Sequence, residues 1–215
     1  FTEFCSSLKS STIVSLGLRK CYLGPQALDL LADAIKFIAA INLLTLDSTG
    51  NMRDQKTYTL TAGEEKIDLS QKNLGSADVT LLTSWLQRPE VTAAIARLVL
   101  NGNMITNDGK DLSGLTALCD VLPTLKNPIS LELANCNLKV AEVNELARAM
   151  AAGGAVETVV LDSNSIFGRD PGWSDYSEIE PDKFVAQCTE FFTGLKASSI
   201  KTLSLKRTGM GPVAL

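Results

Sequence analysis

The sequence predicts an α/β fold in which one strand-turn-helix unit repeats along the chain, and three observations predict it. Leucine is unusually abundant, at 32 of 215 residues. A string of apolar residues at fixed offsets returns in seven copies, two of them degenerate. Between copies, apolar residues recur at spacings of three and then four, which is one stripe of an amphipathic helix.

The first copy runs through Ile13, Leu16, Leu18, Cys21 and Leu23, which reads as L-x-x-L-x-L-x-x-N/C-x-L. The second and third are degenerate: Leu44, Leu46 and Thr49, then Ile67, Leu69, Lys72 and Leu74. Full copies follow at Ile95, Leu98, Leu100, Asn103 and Ile105, and at Leu131, Leu133, Cys136 and Leu138. The last two carry Val156, Val159, Leu161, Asn164 and Ile166, then Ile200, Leu203, Leu205, Thr208 and Met210. Each L-x-L pair is a short strand with alternate side chains on one face, and the N/C position places a polar side chain where it can satisfy backbone groups of the turn.

The helical stripes are Leu28, Leu31, Ile35; Val79, Leu82, Leu86; Leu115, Leu118, Leu122; Val143, Leu146, Met150; and Val185, Cys188, Phe192. Gly24-Pro25 and Gly75-Ser76 supply helix-start signals before the first two. Taking the first leucine position of each pair, the strands begin at 16, 44, 67, 98, 131, 159 and 203. The spacing of 23 after position 44 is too short for a full helix, and the β-prone run Lys56 to Thr61 predicts an extended segment on the helical side there. The spacing of 44 before the last strand predicts an insertion at about residues 167–182.

This unit resembles the leucine-rich repeat family, in its long ribonuclease-inhibitor-like subclass, and the resemblance covers the whole chain. It implies a curved solenoid, or horseshoe, with a parallel concave sheet of about seven strands and helices on the convex side. Residues 1–215 then form a single domain. Phe1, Phe4 and Leu8 have helical spacing with no strand before them, and Gly211-Pro212 aligns with Gly24-Pro25, so both ends are expected to fall inside a repeat of a longer polypeptide.

Composition removes several functions. Histidine is absent, which excludes histidine-based acid/base chemistry, triads that need imidazole, and imidazole zinc sites. With 20 basic and 24 acidic residues the net charge is −4, so no global field draws the chain to nucleic acid or anionic lipid. No apolar run approaches the roughly 20 residues that span a bilayer. Cys5, Cys21, Cys119, Cys136 and Cys188 are odd in number and widely spaced, which suits buried thiols in a reducing, cytoplasmic or otherwise intracellular compartment. No cofactor or metal site is read from the sequence.

Aligning the copies sorts the sheet face into columns. The central column is Gly17, Thr45, Asp68, Val99, Glu132, Val160, Ser204; the next is Arg19, Asp47, Ser70, Asn101, Ala134, Asp162, Lys206. Candidate binding residues are therefore Arg19, Asp47, Asp68, Arg97, Asn101, Glu132, Asp162 and Lys206. A carboxylate dyad at Asp47 and Asp68 is one arrangement these columns allow. The insertion holds five acids, one base, Trp173 and Tyr176, so Trp173, Asp175 and Tyr176 join the candidates as an acidic, aromatic anchor for a basic partner surface.

The expected function is a non-enzymatic scaffold for protein–protein interaction. Its partner is another protein, not nucleic acid or membrane. Family resemblance keeps two alternatives open: a GTPase-activating regulator presenting Arg19, Arg97 or Arg169 to a partner's active site, and a structural or cytoskeletal module associating through its uncapped ends or with further repeats.

Overall fold

Alternating burial turns each L-x-L pair into a strand with one face inward. Strands β1 (Ser15–Leu18) and β2 (Leu43–Asp47) are followed by β3 (Thr57–Thr61), β4 (Lys66–Asp68), β5 (Arg97–Val99), β6 (Ile129–Glu132), β7 (Val156–Val160) and β8 (Thr202–Ser204). Helices α1 (Thr2–Leu8), α2 (Pro25–Ile35), α3 (Ser76–Leu86), α4 (Pro89–Ala94), α5 (Ser113–Val121), α6 (Val140–Ala151) and α7 (Thr189–Ala197) lie between them. This computed structural model describes residues 1–153, 155–168 and 180–213.

Strands β4 to β8 form a five-stranded parallel sheet in chain order. Lys66, Arg97, Ser130, Thr158 and Thr202 share one row across it, and Asp68, Val99, Glu132, Val160 and Ser204 share another. These are the columns of the sequence alignment. The helices also pack in chain order, α1 on α2, α2 on α3, α3 on α5, α5 on α6 and α6 on α7. One hydrophobic cluster runs from Leu8 to Phe191 between sheet and helices.

The turns after four of the strands, β1, β4, β6 and β8, share a backbone conformation. Residues with positive φ flank the N/C position: Lys20 and Tyr22 around Cys21, Gln71 and Asn73 around Lys72, Asn135 and Asn137 around Cys136, Arg207 and Gly209 around Thr208. At that position Asn103 Oδ1 accepts from Leu74 N (3.0 Å) while its Nδ2 donates to the carbonyls of Leu69 and Leu100 (2.8 Å each). Asn164 does the same job, accepting from Cys136 N and Leu138 N and donating to Leu133 and Leu161. Both are 1% exposed, so each links the turn before it to its own.

Three expectations need correction. The chain has eight strands among its described residues, not about seven, and they form two sheets. The run expected on the helical side is β3, which pairs antiparallel with β2, Leu43 opposite Thr61 and Asp47 opposite Thr57. Tyr58 and Leu60 point inward and are buried, so the chain answers the short spacing with a strand that fills the core from the sheet side. Since β3 occupies the edge of β2, β2 does not pair with β4. The third correction is one of phase: the last stripe buries Cys188 and Phe191, with Phe192 half-buried. A 3₁₀ turn at Val185–Cys188 precedes α7, and its three-residue period carries the stripe from 188 to 191.

Two buried polar groups join the sheets. Asp78, in the first turn of α3, accepts from Thr49 N and Oγ1, Gly75 N and Tyr58 Oη, all at 2.8–2.9 Å. Burial raises its carboxyl and pushes the Tyr58 hydroxyl well above its ordinary range, so Tyr58 remains a donor. Arg88, 6% exposed, donates to the carbonyls of Ile35, Ile38, Ala39 and Ile41, pairs with Glu90 at 2.5 Å and lies over the Trp85 ring. It satisfies the carbonyls where α2 ends and the chain turns toward β2.

Candidate functional site

The outward side chains of the five-stranded sheet bring four of the candidates together. Arg97 on β5 donates through Nε to Glu132 Oε1 on β6 at 2.7 Å, and Asn101 Nδ2 donates to Glu132 Oε2 at 3.2 Å. On β4, Asp68 pairs with Lys66 at 2.7 Å and accepts from the Ser70 hydroxyl at 2.7 Å and its N–H at 3.1 Å. The Lys66 and Ser70 bonds hold the Asp68 carboxyl down at about 2. Glu132 in turn raises Arg97, with Asp68 adding to the same field. Charges therefore alternate across three adjacent strands and are locked by hydrogen bonds.

Other candidates serve the backbone. Asn101 Oδ1 accepts from Ala134 N at 2.7 Å and Asp162 Oδ1 from Lys206 N at 2.9 Å, each tying a strand end to the following one. Lys206 itself is exposed beside that bond.

The Asp47–Asp68 dyad does not form. The two residues lie in different sheets, and Asp47 has both oxygens engaged, Oδ2 by Lys20 N and Oδ1 by the Thr57 hydroxyl, both at 2.6 Å. β3, which the column reading left off the sheet, is the physical reason.

Arg19 is exposed, and among the described residues its guanidinium and the neighbouring Lys20 ammonium have no hydrogen-bonding or ion-pair partner. They border an open depression of about 420 Å³ together with Gly17 and Thr57.

Trp173, Asp175, Tyr176 and Arg169 lie outside the described residues. The neck of the predicted insertion is described: Phe184 N donates to Phe167 O at 2.8 Å. Phe167 is fully buried against Phe191 and Phe192, so the insertion's first residue belongs to the core. At its far end, Asp182 accepts from Gly211 N and Val213 N and thereby holds the last described turn.

Four cysteines are buried as expected, and Cys21 is exposed, because β1 has no strand on its outer edge among the described residues. Burial pushes the thiols up, Cys119 to about 12 and Cys136 and Cys188 to about 11. Among the described residues no group of three or more Cys, Asp or Glu is arranged to hold a metal ion, and no helix is long and apolar enough to cross a membrane.

Sequence reasoning missed Arg88, Asp78 and Lys20. Arg88 sits between helices where a charge reads as solvent-facing. The Asp78 signal was legible, as a first-turn acid three residues after Gly75. Compared with known proteins, the chain matches no family model and no curated sequence.

Proposed function

We propose that the chain is a leucine-rich repeat protein of the ribonuclease-inhibitor-like kind and acts as a non-enzymatic scaffold, receiving another protein on the concave strand face. The observation that carries this reading is the preassembled polar network of Lys66, Asp68, Arg97, Asn101 and Glu132 on a parallel sheet. Side chains already fixed by one another lose little freedom when a partner docks, and alternating charge sets the register of a complementary surface. The recurring turn backbone and the buried asparagines Asn103 and Asn164 support the repeat reading.

The test is a cross-linking pull-down from native extract with wild type and an Arg97→Glu/Glu132→Lys swap. The swap keeps an opposite-charge pair on the sheet and inverts the pattern that a partner meets. The partner captured by wild type is lost with the swap; the same partner in equal amount contradicts the reading. Deleting residues 169–179 in parallel tests whether the loop with Trp173, Asp175 and Tyr176 contributes.

One observation favours the GTPase-activating alternative: Arg97 is held by Glu132, whereas Arg19 has an unpartnered, exposed guanidinium. A single-turnover GTPase assay with the captured partner decides it, since Arg19→Ala abolishes the acceleration if Arg19 reaches the nucleotide.

A further inference from the structure

We infer that the depression between β1 and β3 is a docking subsite for an acidic segment of a protein partner, with Arg19 and Lys20 taking its carboxylates. The inference rests on the scaffold reading above and adds the partner's chemistry and a second place of attachment.

Three observations meet at this point. First, the central column carries side chains on the other strands but glycine on β1, and nothing lies within 4 Å of where a Gly17 Cβ would stand. The missing side chain is what opens the depression. Second, the charges differ from those on the five-stranded sheet. There Lys66 and Arg97 are paired with Asp68 and Glu132. Here two cations border the depression, and the nearest acid, Asp47, is already occupied by the Lys20 N–H and the Thr57 hydroxyl. The rest of this face is uncharged, with Thr45 and Thr59 bonded to each other at 3.0 Å and Leu43 exposed beyond them. Neutral donors do not cancel a carboxylate, so two cations here stand against one acid, Asp47, in a chain of net charge −4.

Third, the depression is open to solvent and measures about 420 Å³. Its open side admits an extended segment, whose successive carboxylates reach both cations. Arginine offers the planar fork that carboxylates accept bidentately, and lysine adds a mobile second charge. β3 contributes Thr57 to the border of the depression, opposite Asp47 in the register.

The test uses the full chain and fluorescence anisotropy of a fluorescein-labelled hexaglutamate peptide at low salt, where surface charge is least screened. Hexaglutamine with the same label is the uncharged comparison. Wild type is expected to bind hexaglutamate and not hexaglutamine. Arg19→Ala/Lys20→Ala weakens binding about tenfold or more, as expected for losing charge-assisted hydrogen bonds. Gly17→Val weakens it by a similar factor without lowering the melting temperature, since a Cβ at this position meets nothing within 4 Å and valine suits a strand. Lys126→Ala/Lys196→Ala, which likewise removes two positive charges, from exposed positions elsewhere, leaves binding unchanged.

Equal affinity of all variants, or no hexaglutamate binding to wild type, overturns the inference. Inorganic phosphate binding at Arg19 and Lys20 without peptide binding overturns the acidic-segment occupant. None of these results touches the Arg97/Glu132 swap, so failure here remains distinguishable from failure of the scaffold reading.

Discussion

The three-stranded sheet β1–β3 and the five-stranded sheet β4–β8 are built from the same string of apolar residues, yet their open faces differ. On β4–β6 every charge in the central rows has a partner. On β1–β3 the central row is glycine and threonine, two cations without a partner border it, and the N/C residue Cys21 is exposed where Asn103 and Asn164 are buried. The difference follows from neighbours. Each inner strand of β4–β8 has a parallel strand on both sides, so its turn can be satisfied laterally, whereas β2 is flanked by β1 and an antiparallel β3. The chemistry of each strand and its turn therefore depends on which strand lies beside it as much as on its own residues.

Removing the tie between the two regions has the largest effect. Arg88→Ala deprives four carbonyls of their donor and leaves Glu90 unpaired, an expected loss of about 3–5 kcal/mol. Arg88→Lys does not restore it, because one ammonium lacks the fork that reaches all four. In urea unfolding followed by circular dichroism and amide exchange, residues 1–61 open before the five-stranded sheet. A loss below about 1 kcal/mol sinks this role for Arg88.

Next comes the N/C position. Asn164→Ala orphans two N–H groups and two carbonyls, an expected cost of about 3 kcal/mol. Cys21→Ala, at the equivalent place in the other sheet, changes stability by less than about 0.5 kcal/mol. Equal costs erase the contrast. A smaller step is Tyr58→Phe, which removes one of the four donors to Asp78 and costs about 1 kcal/mol by thermal melt.

Thiol chemistry sharpens the same comparison. In a native-state titration with a chromogenic disulfide, Cys21 reacts first, and Cys119, Cys136 and Cys188 wait for unfolding because burial keeps them protonated and covered. The smallest effect is acid sensitivity. Asp68 is held at about 2, below the usual carboxylate range, so its ionised form stabilises the fold above about pH 4 and that contribution fades as pH falls toward 2. Asp68→Asn removes this part of the acid slope, modestly, since the pair is solvent-exposed.

Much of the fold was legible because side-chain alternation along a strand has a period of two: aligning Leu16, Leu44, Leu98 and the others also aligned the outward columns, and Arg97 with Glu132 came along. What was not legible depends on long-range neighbours. The run Lys56 to Thr61 reads as extended in any context, but only the free edge of β2 decides where it goes. Asn101 and Asp162 look like surface recognition groups until the adjacent turn presents an N–H. The role of Arg88 carries no local signal, since the four carbonyls it satisfies lie 47 to 53 residues away.

The scaffold claim is tested most directly by site-specific photo-crosslinking in native extract. A photoreactive residue replaces Ser130 on the open sheet face or, in a second variant, Thr193 on α7. One discrete adduct is expected from position 130, competed by untagged wild-type chain and absent with the Arg97→Glu/Glu132→Lys swap, and none from position 193. An adduct from position 193 alone would contradict it.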